Sequence, residues 1–422
     1  MTIQKIEGAP QPLEGVRVVE LANFMTAPQG TEILAMMGAE VIKIETPSGD
    51  GSRFAGASRA GVPLEGDKKN PWFEGINFNK EFMCLNFRTD EGKEAMVKLL
   101  GTADLFVTNY RLSALQNMGL DYPTLHEIYP HLPMVHVTGY GECGPDVNAP
   151  GYDQATFFAR PGFLNNITPY GAEEPPAVSG MVMGDTITGM TTAIGSMIVL
   201  YESKMKGYGD YCTLGLLSSS LYLQRWLFTD WQYGLELPQR FAPLPCNDFF
   251  RSKDGLWVAL GITTIDPIFN QLMTILGRED LCDDPVFSIS AEVARQHKHA
   301  EFRQILRDAF AQFDAEDIVS RLKAAEIPAE VCRTFDDVLK DPQVIENEFL
   351  HTIEYEDGDT YVVPNCLLRT RCGSPEFRLT KARGADNARY LSELGYDDDT
   401  IAKWAEQGIA PVIPTPDYSK QA

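Results

Sequence analysis

The chain is short of positive charge. Its 422 residues carry 36 Lys and Arg against 59 Asp and Glu, a formal net charge of −23. That balance argues against nucleic acid or an anionic membrane as partner, since both need clustered cations. Long apolar runs are also missing. The longest, Ile187 to Tyr201, is too short and too rich in Thr and Gly to span a bilayer, and it reads as a buried helix. No basic stretch followed by apolar residues opens the chain, so no signal peptide and a cytoplasmic location are expected. The 8 cysteines include no Cys-x-x-Cys pair and read as reduced thiols. The 6 histidines show no metal-ligand spacing. His297 and His299 stand two apart on an expected helix and face different directions, so no metal is expected. No Gly-x-Gly-x-x-Gly follows the first expected strand, and no Walker loop is present. Internal repeats and low-complexity tracts are absent too.

What is present is a globular composition, 44% hydrophobic, on a chain long enough for two or three domains. Gly15 to Leu21 is a β-branched run that reads as a strand. Pro28 opens an expected helix through Met37, which Gly38 stops. Glu40 to Glu45 is the next strand, and this βαβ unit implies a parallel sheet. Asp90 to Leu100 reads as an amphipathic helix, and Leu105–Val107 and Met134–Thr138 as further strands. In such sheets ligands collect at the carboxyl ends of the strands. Past residue 225 the texture changes. A strand pair turns at Lys253-Asp254-Gly255, and helical patterns follow at Asp266–Leu276, Ala291–Phe313 and Ala315–Ala325. Thr334 reads as the N-cap of a short helix. Strands are expected near Thr352–Tyr355 and Tyr361–Val363, helices at Asn387–Leu394 and Asp398–Glu406, and an exposed Pro-rich tail after that. The expected organisation is α/β: a Rossmann-like large domain over 1–224, a smaller α+β domain over 225–340, and a C-terminal segment over 341–422.

Asp185 is the residue with the most chemistry in its setting. It stands in Ser179-Gly180-Met181-Val182-Met183-Gly184-Asp185-Thr186-Ile187-Thr188-Gly189. A carboxylate is ionised at neutral pH and needs no base to act as a nucleophile. The flanking glycines let a bulky substrate approach the backbone. In isolation, Asp before a helix reads more simply as an N-cap.

The wider chain favours the chemical reading. Pro12-Leu13-Glu14-Gly15-Val16-Arg17-Val18-Val19-Glu20-Leu21, Ala27-Pro28, Gly38 to Glu45, Asn79-Lys80 and Leu85-Asn86 follow in order. Asn109 with Leu115 and Met118-Gly119-Leu120 comes next, then Gly139-Tyr140-Gly141, Pro150-Gly151-Tyr152-Asp153 and Ser179 to Gly189. This ordered series resembles the family III CoA-transferases, the group of formyl-CoA and carnitine CoA-transferases. The stretch His136 to Gly141, with Gly144-Pro145-Asp146 and Phe158-Ala159-Arg160, is similar to those acting on 2-hydroxy acids such as phenyllactate and 2-hydroxyisocaproate.

The resemblance implies that Asp185 attacks an acyl-CoA thioester and passes through an anhydride and an aspartyl-CoA thioester. It implies no permanently bound cofactor, with the CoA thioester and a small carboxylic acid as substrates. It implies an interlocked homodimer. It implies CoA contacts at Asn109, at Leu85 on the adenine side, at Arg88 near the phosphates, and at Phe24 and Met25 along the pantetheine arm. Tyr152, Asp153 and Gly184 complete the implied binding set. Thr46 replaces an Arg that some members set against phosphate, and no Gly-rich closing loop is evident near Asn247–Gly255. For Leu85, Phe24 and Met25 core packing is the plain alternative, and for Arg88 a solvated face.

Three other readings stay open. Related acyl-CoA racemases place His where Tyr152 stands, because abstraction of an α-proton needs a base near neutral pKa, and tyrosine's ordinary value is about 10. Acyl-CoA hydrolysis differs only in admitting water to the anhydride. A non-catalytic acyl-CoA binding protein would have no need of Gly184-Asp185.

Overall fold

The protein is described from a computed structural model, which covers residues 9–59, 64–168, 172–178, 180, 182–234, 245–372 and 375–421. Ser179 and Met181 of the Asp185 loop lie outside the described residues. Six parallel strands form one sheet: β1 (Arg17–Leu21), β2 (Glu40–Glu45), β3 (Glu81–Cys84), β4 (Leu105–Thr108), β5 (Met134–Thr138) and β6 (Tyr211–Gly215). Their order is β3-β2-β1-β4-β5-β6, with the direction of travel reversing between β1 and β4. This is the doubly wound, Rossmann-like arrangement, and its switch point is where ligands bind.

Alternation along each strand builds the two faces. Val18, Val41, Leu105, Val107, Val135 and Val137 face α1 (Thr26–Met36) and the long helix Met183–Lys206, through Ala27, Leu34, Ala193 and Val199. Val19, Leu21, Ile42, Ile44 and Phe106 face the other way, toward Ala95, Met96 and Leu99 of the helix Asp90–Leu100 and toward Tyr390, Leu391 and Trp404. Both faces are therefore covered, as a parallel sheet requires.

Two glycines bring α1 and the long helix unusually close. A Cβ on Gly30 would lie 2.6 Å from Thr192 Cβ, and one on Gly189 would lie 2.9 Å from Gln29 Cβ. Side chains at either position would push the helices apart and separate Thr26 from Asp185.

The chain divides into two compact units, one of residues 1–163, 178–223 and 348–422, the other of 164–177 and 224–347. The second is α+β. Its antiparallel sheet β7 (Asn247–Arg251), β8 (Trp257–Gly261) and β9 (Ala329–Val331) packs Phe250, Val258 and Leu260 against Phe302, Leu306, Phe310, Ile318 and Leu322. In the first unit β10 (Leu350–Glu354) and β11 (Thr360–Pro364) form a hairpin, from whose second strand the Tyr361 hydroxyl donates to Glu74 Oε2 at 2.6 Å.

Four expectations are corrected. The first helix starts at Thr26, two residues before Pro28, because proline is tolerated anywhere in a first turn where its missing N–H is not needed. The span 291–313 is two helices, Ser290–Arg295 and His299–Phe310. His297 sits in the break with φ 53°, so it shares no helix with His299. The segment Ile187–Tyr201 is helical but buried on one side only. Ile194, Ile198 and Tyr201 are 60, 60 and 68% exposed. The tail is not simply exposed: Thr415 is buried, and its N–H donates to Asp67 Oδ2 at 2.7 Å.

Candidate active site

The carboxyl ends of β1, β4 and β5 open into a cleft of about 720 Å³. Phe24, Met25 and Thr26 line it from the turn after β1, and Asn109 to Leu112 from the turn after β4. Gly139, Gly141 and Glu142 follow β5, and Tyr152, Asp153, Val182 and Asp185 close the far wall.

The turn after β1 is held in a sparsely populated conformation. Phe24 has φ 60°, which for a residue with a large side chain is strained by roughly 1–3 kcal/mol. The strain is held by hydrogen bonds on either side. Phe24 N–H donates to Asp50 Oδ1 at 2.9 Å. Asn23 N–H donates to Asn109 Oδ1 at 3.0 Å, and Asn109 Nδ2 returns a hydrogen bond to the Asn23 carbonyl at 2.7 Å. The Phe24 ring consequently stands in the cleft, edge-to-face with Tyr152 at 6.4 Å. Tyr152 is exposed there.

Asp50 is itself tied into a buried ion network under this wall. Lys43 Nζ lies 2.7 Å from Glu20 Oε1 and 2.9 Å from Asp50 Oδ2, and Lys80 Nζ lies 2.7 Å from Glu20 Oε2. All three pairs are fully buried. Burial alone would raise the Glu20 carboxyl, but Lys43 and Lys80 outweigh it and bring it down to about 2.

Asp185 lies in the first turn of the long helix, 24 residues in length. The helix start carries partial positive charge and favours an anion there. The Thr26 hydroxyl donates to Asp185 Oδ1, so α1 and the long helix fix the carboxylate between them. Asp153 lies beside the same helix start. Burial first, and the Asp185 charge second, push its carboxyl up to about 6, while the N–H groups of Gly184 and Asp185 pull it down.

On the β5 side, buried His136 places Nε2 2.8 Å from the Tyr110 carbonyl. A carbonyl only accepts, so Nε2 carries the proton in that contact. Nδ1 is 2.7 Å from Glu142 Oε1 and 2.9 Å from the Tyr211 hydroxyl.

Of the residues expected from sequence, Phe24, Met25, Asn109, Tyr152, Asp153 and Asp185 meet in this one cleft. Gly184 lies behind it, against Asp153 and Phe157. Leu85 and Arg88 are not brought there. Leu85 is fully buried in the core beside Met83 and Met96, and Arg88 is exposed beyond the end of β3. Thr26, Arg111, His136 and Glu142 line the cleft and were not singled out. Arg111 is the one arginine or lysine on the wall among the described residues. Its nearness to Asn109 in sequence is the signal that would have found it.

A family description, CoA-transferase family III, matches residues 13–385. The cinnamoyl-CoA:phenyllactate CoA-transferase of Clostridium sporogenes is 33% identical over 402 residues, covering 94% of this chain and 96% of that protein. The (R)-2-hydroxy-4-methylpentanoate CoA-transferase of Clostridioides difficile is 32% identical over 401 residues, covering 94% and 99%. Among solved structures, a CAIB/BAIF family protein from Brucella suis superposes with a TM-score of 0.73 at 26% identity, covering 92% of this chain and 100% of that one. Two whole-length relatives and a family match over most of the sequence agree, and the chain belongs to CoA-transferase family III.

Proposed function

We propose that the protein moves CoA from an acyl-CoA donor to a 2-hydroxy acid, with Asp185 as the nucleophile. The observation that carries this reading is the Asp185 carboxylate, set at a helix start, tied to Thr26 and lining the cleft. A carboxylate oxygen of Asp185 attacks the thioester carbonyl. The C–S bond breaks, CoA leaves as thiolate, and a mixed anhydride remains. The thiolate then attacks the aspartyl carbonyl and expels the donor as its carboxylate, leaving an aspartyl-CoA thioester. The acceptor carboxylate displaces CoA to form a second anhydride. The thiolate attacks the acceptor's carbonyl, releasing the new acyl-CoA and the original carboxylate. Covalent passage conserves the thioester's energy, provided water stays out.

Supporting the acceptor class, the two relatives are named for acids bearing a 2-hydroxyl, and Phe24 with Tyr152 offers an apolar wall for an acyl side chain. Among the described residues Arg111 is the cation on the wall available for the phosphates of CoA, against a background of net negative charge.

The test is a panel of acyl-CoA donors against carboxylate acceptors, read by mass spectrometry. New acyl-CoA from 2-hydroxy acids is expected. Free CoA with no new thioester would establish a hydrolase instead. The same assay in deuterated water separates transfer from isomerisation. A 2-methylacyl-CoA should gain no α-deuterium, and Tyr152→Phe should change KM for the acid more than kcat. Rapid α-exchange that vanishes in Tyr152→Phe would instead mark Tyr152 as a base.

We also propose a homodimer. Ile194, Met197, Ile198, Tyr201 and Met205 recur at helical spacing on the outer face of the long helix and are exposed, a contiguous apolar stripe of the kind that a second copy covers. Sedimentation at micromolar concentration should give twice the chain mass of 46.9 kDa. A monomer would contradict the proposal.

A further inference from the structure

His136 is a buried imidazole inside a parallel sheet, and the transfer chemistry leaves it unused. Its neighbours come from three directions. After β4, the Tyr110 carbonyl meets Nε2 at 2.8 Å. From β6, the Tyr211 hydroxyl lies 2.9 Å from Nδ1, with its ring stacked on Tyr122 at 4.8 Å. Glu142 arrives from the loop that follows β5 itself. That loop turns back because Gly141 takes φ 97°, which glycine adopts freely, while its N–H donates to Thr138 Oγ1 at 3.0 Å.

A count of protons fixes the character of this group. The Nε2 proton goes to the Tyr110 carbonyl. The Tyr211 hydroxyl donates its one proton to Glu142 Oε1. Nδ1 lies 2.7 Å from that same oxygen. Two lone pairs do not approach so closely, so a further proton lies between Nδ1 and Oε1. Whichever atom holds it, His136 and Glu142 together carry no net charge. A carboxyl group can therefore line a cleft that has to admit anions.

Glu142 also faces that cleft. Its side chain is 22% exposed, and it shares the lining with Asp185. His136 and Tyr211 both use Oε1, and among the described residues Oε2 takes no hydrogen bond. Close backbone contacts tie the two parts of the wall. A Cβ on Gly139 would lie 2.8 Å from Gly151 Cα, and one on Gly184 would lie 2.1 Å from Asp153 Oδ1. Glu142 is in the turn that Gly139 opens, Asp153 follows Gly151 closely, and Asp185 is next to Gly184.

We propose that Glu142 is the specificity-determining residue for the acceptor: Oε2 accepts a hydrogen bond from the 2-hydroxyl of the incoming acid, and His136 with Tyr211 holds the carboxyl group in place. The inference rests on transfer to a 2-hydroxy acid through Asp185 and names what selects that acid. In the acceptor step the acid's carboxylate must reach the carbonyl at Asp185, and its hydroxyl is on the adjoining carbon. A hydroxyl is a donor, and a carboxyl oxygen with an unused lone pair is its match. An acid with only hydrogen at that carbon brings no donor and loses the bond.

The experiment uses cinnamoyl-CoA as donor, with phenyllactate and 3-phenylpropanoate as acceptors, which differ by one hydroxyl. Wild type should favour phenyllactate in kcat/KM by about ten- to a hundredfold, the range of one hydrogen bond to a carboxylate. Glu142→Ala should bring the ratio between the two acceptors close to one. Glu142→Gln, nearly the same shape, should give an intermediate ratio, since a neutral amide accepts more weakly than a carboxylate. A wild-type ratio near one overturns the inference, whether or not the variants fold. A ratio kept at the wild-type value in either variant overturns it too, including the case in which both acceptors lose activity equally, which is the mark of a merely structural role. Transfer to both acceptors alike leaves the transfer reading standing and sinks this inference alone. Transfer to neither sinks the reading beneath it.

Discussion

Asp185→Ala should lower CoA transfer by about four to six orders of magnitude, the scale seen when a covalent nucleophile is removed. Acyl-CoA binding should survive, because Asn109, Phe24 and Arg111 approach the cleft from other loops. Asp185→Asn is the sharper variant. Its amide oxygen can still accept from the Thr26 hydroxyl, so the contact between α1 and the long helix is kept while the charge is lost. It should be as inactive as the alanine variant and unfold at nearly the wild-type temperature. Wild-type protein incubated with acyl-CoA alone should yield a covalent mass increase on the peptide containing Asp185. Substantial transfer by either variant, or an adduct on another residue, would remove Asp185 from the mechanism.

The parts of this site that were legible in the sequence are those whose chemistry depends on local pattern. β1, α1 and β2 follow from a β-branched run, a Pro-opened helix and a Gly stop, and their order gives a parallel sheet. Asp185, Asn109, Phe24 and Tyr152 could be named because they sit in ordered motifs of a recognisable family. β3 and β6 were not seen: Glu81–Cys84 holds no β-branched residue to mark it as a strand. Thr26 was not seen either, since its role exists only once the glycines at 30 and 189 bring two helices together. Leu85 shows the opposite difficulty: an apolar residue in a family motif looks the same in sequence whether it touches ligand or core, and this one packs beside Met83 and Met96. The ion network was hidden for a similar reason. Glu20, Lys43 and Glu45 lie in strands where a charge suggests a solvated position, and only the paired sheet places opposite charges side by side.

That network sets the second large effect. Lys43→Met should destabilise the large unit by about 3–5 kcal/mol, the usual cost of removing one partner from a buried ion pair. Lys43 Nζ touches Glu20, Asp50 and the Ala22 carbonyl, all buried. Methionine keeps the volume but leaves Asp50 without a cation, while Glu20 keeps Lys80. Activity should fall as well, because Asp50 accepts the Phe24 N–H and so holds the strained turn that forms the cleft wall. The control is Lys98→Met, whose partner Glu94 is exposed; it should leave unfolding unchanged, since exposed pairs contribute little. Equal unfolding temperatures for the two variants would show that the buried charges do not hold this wall in place.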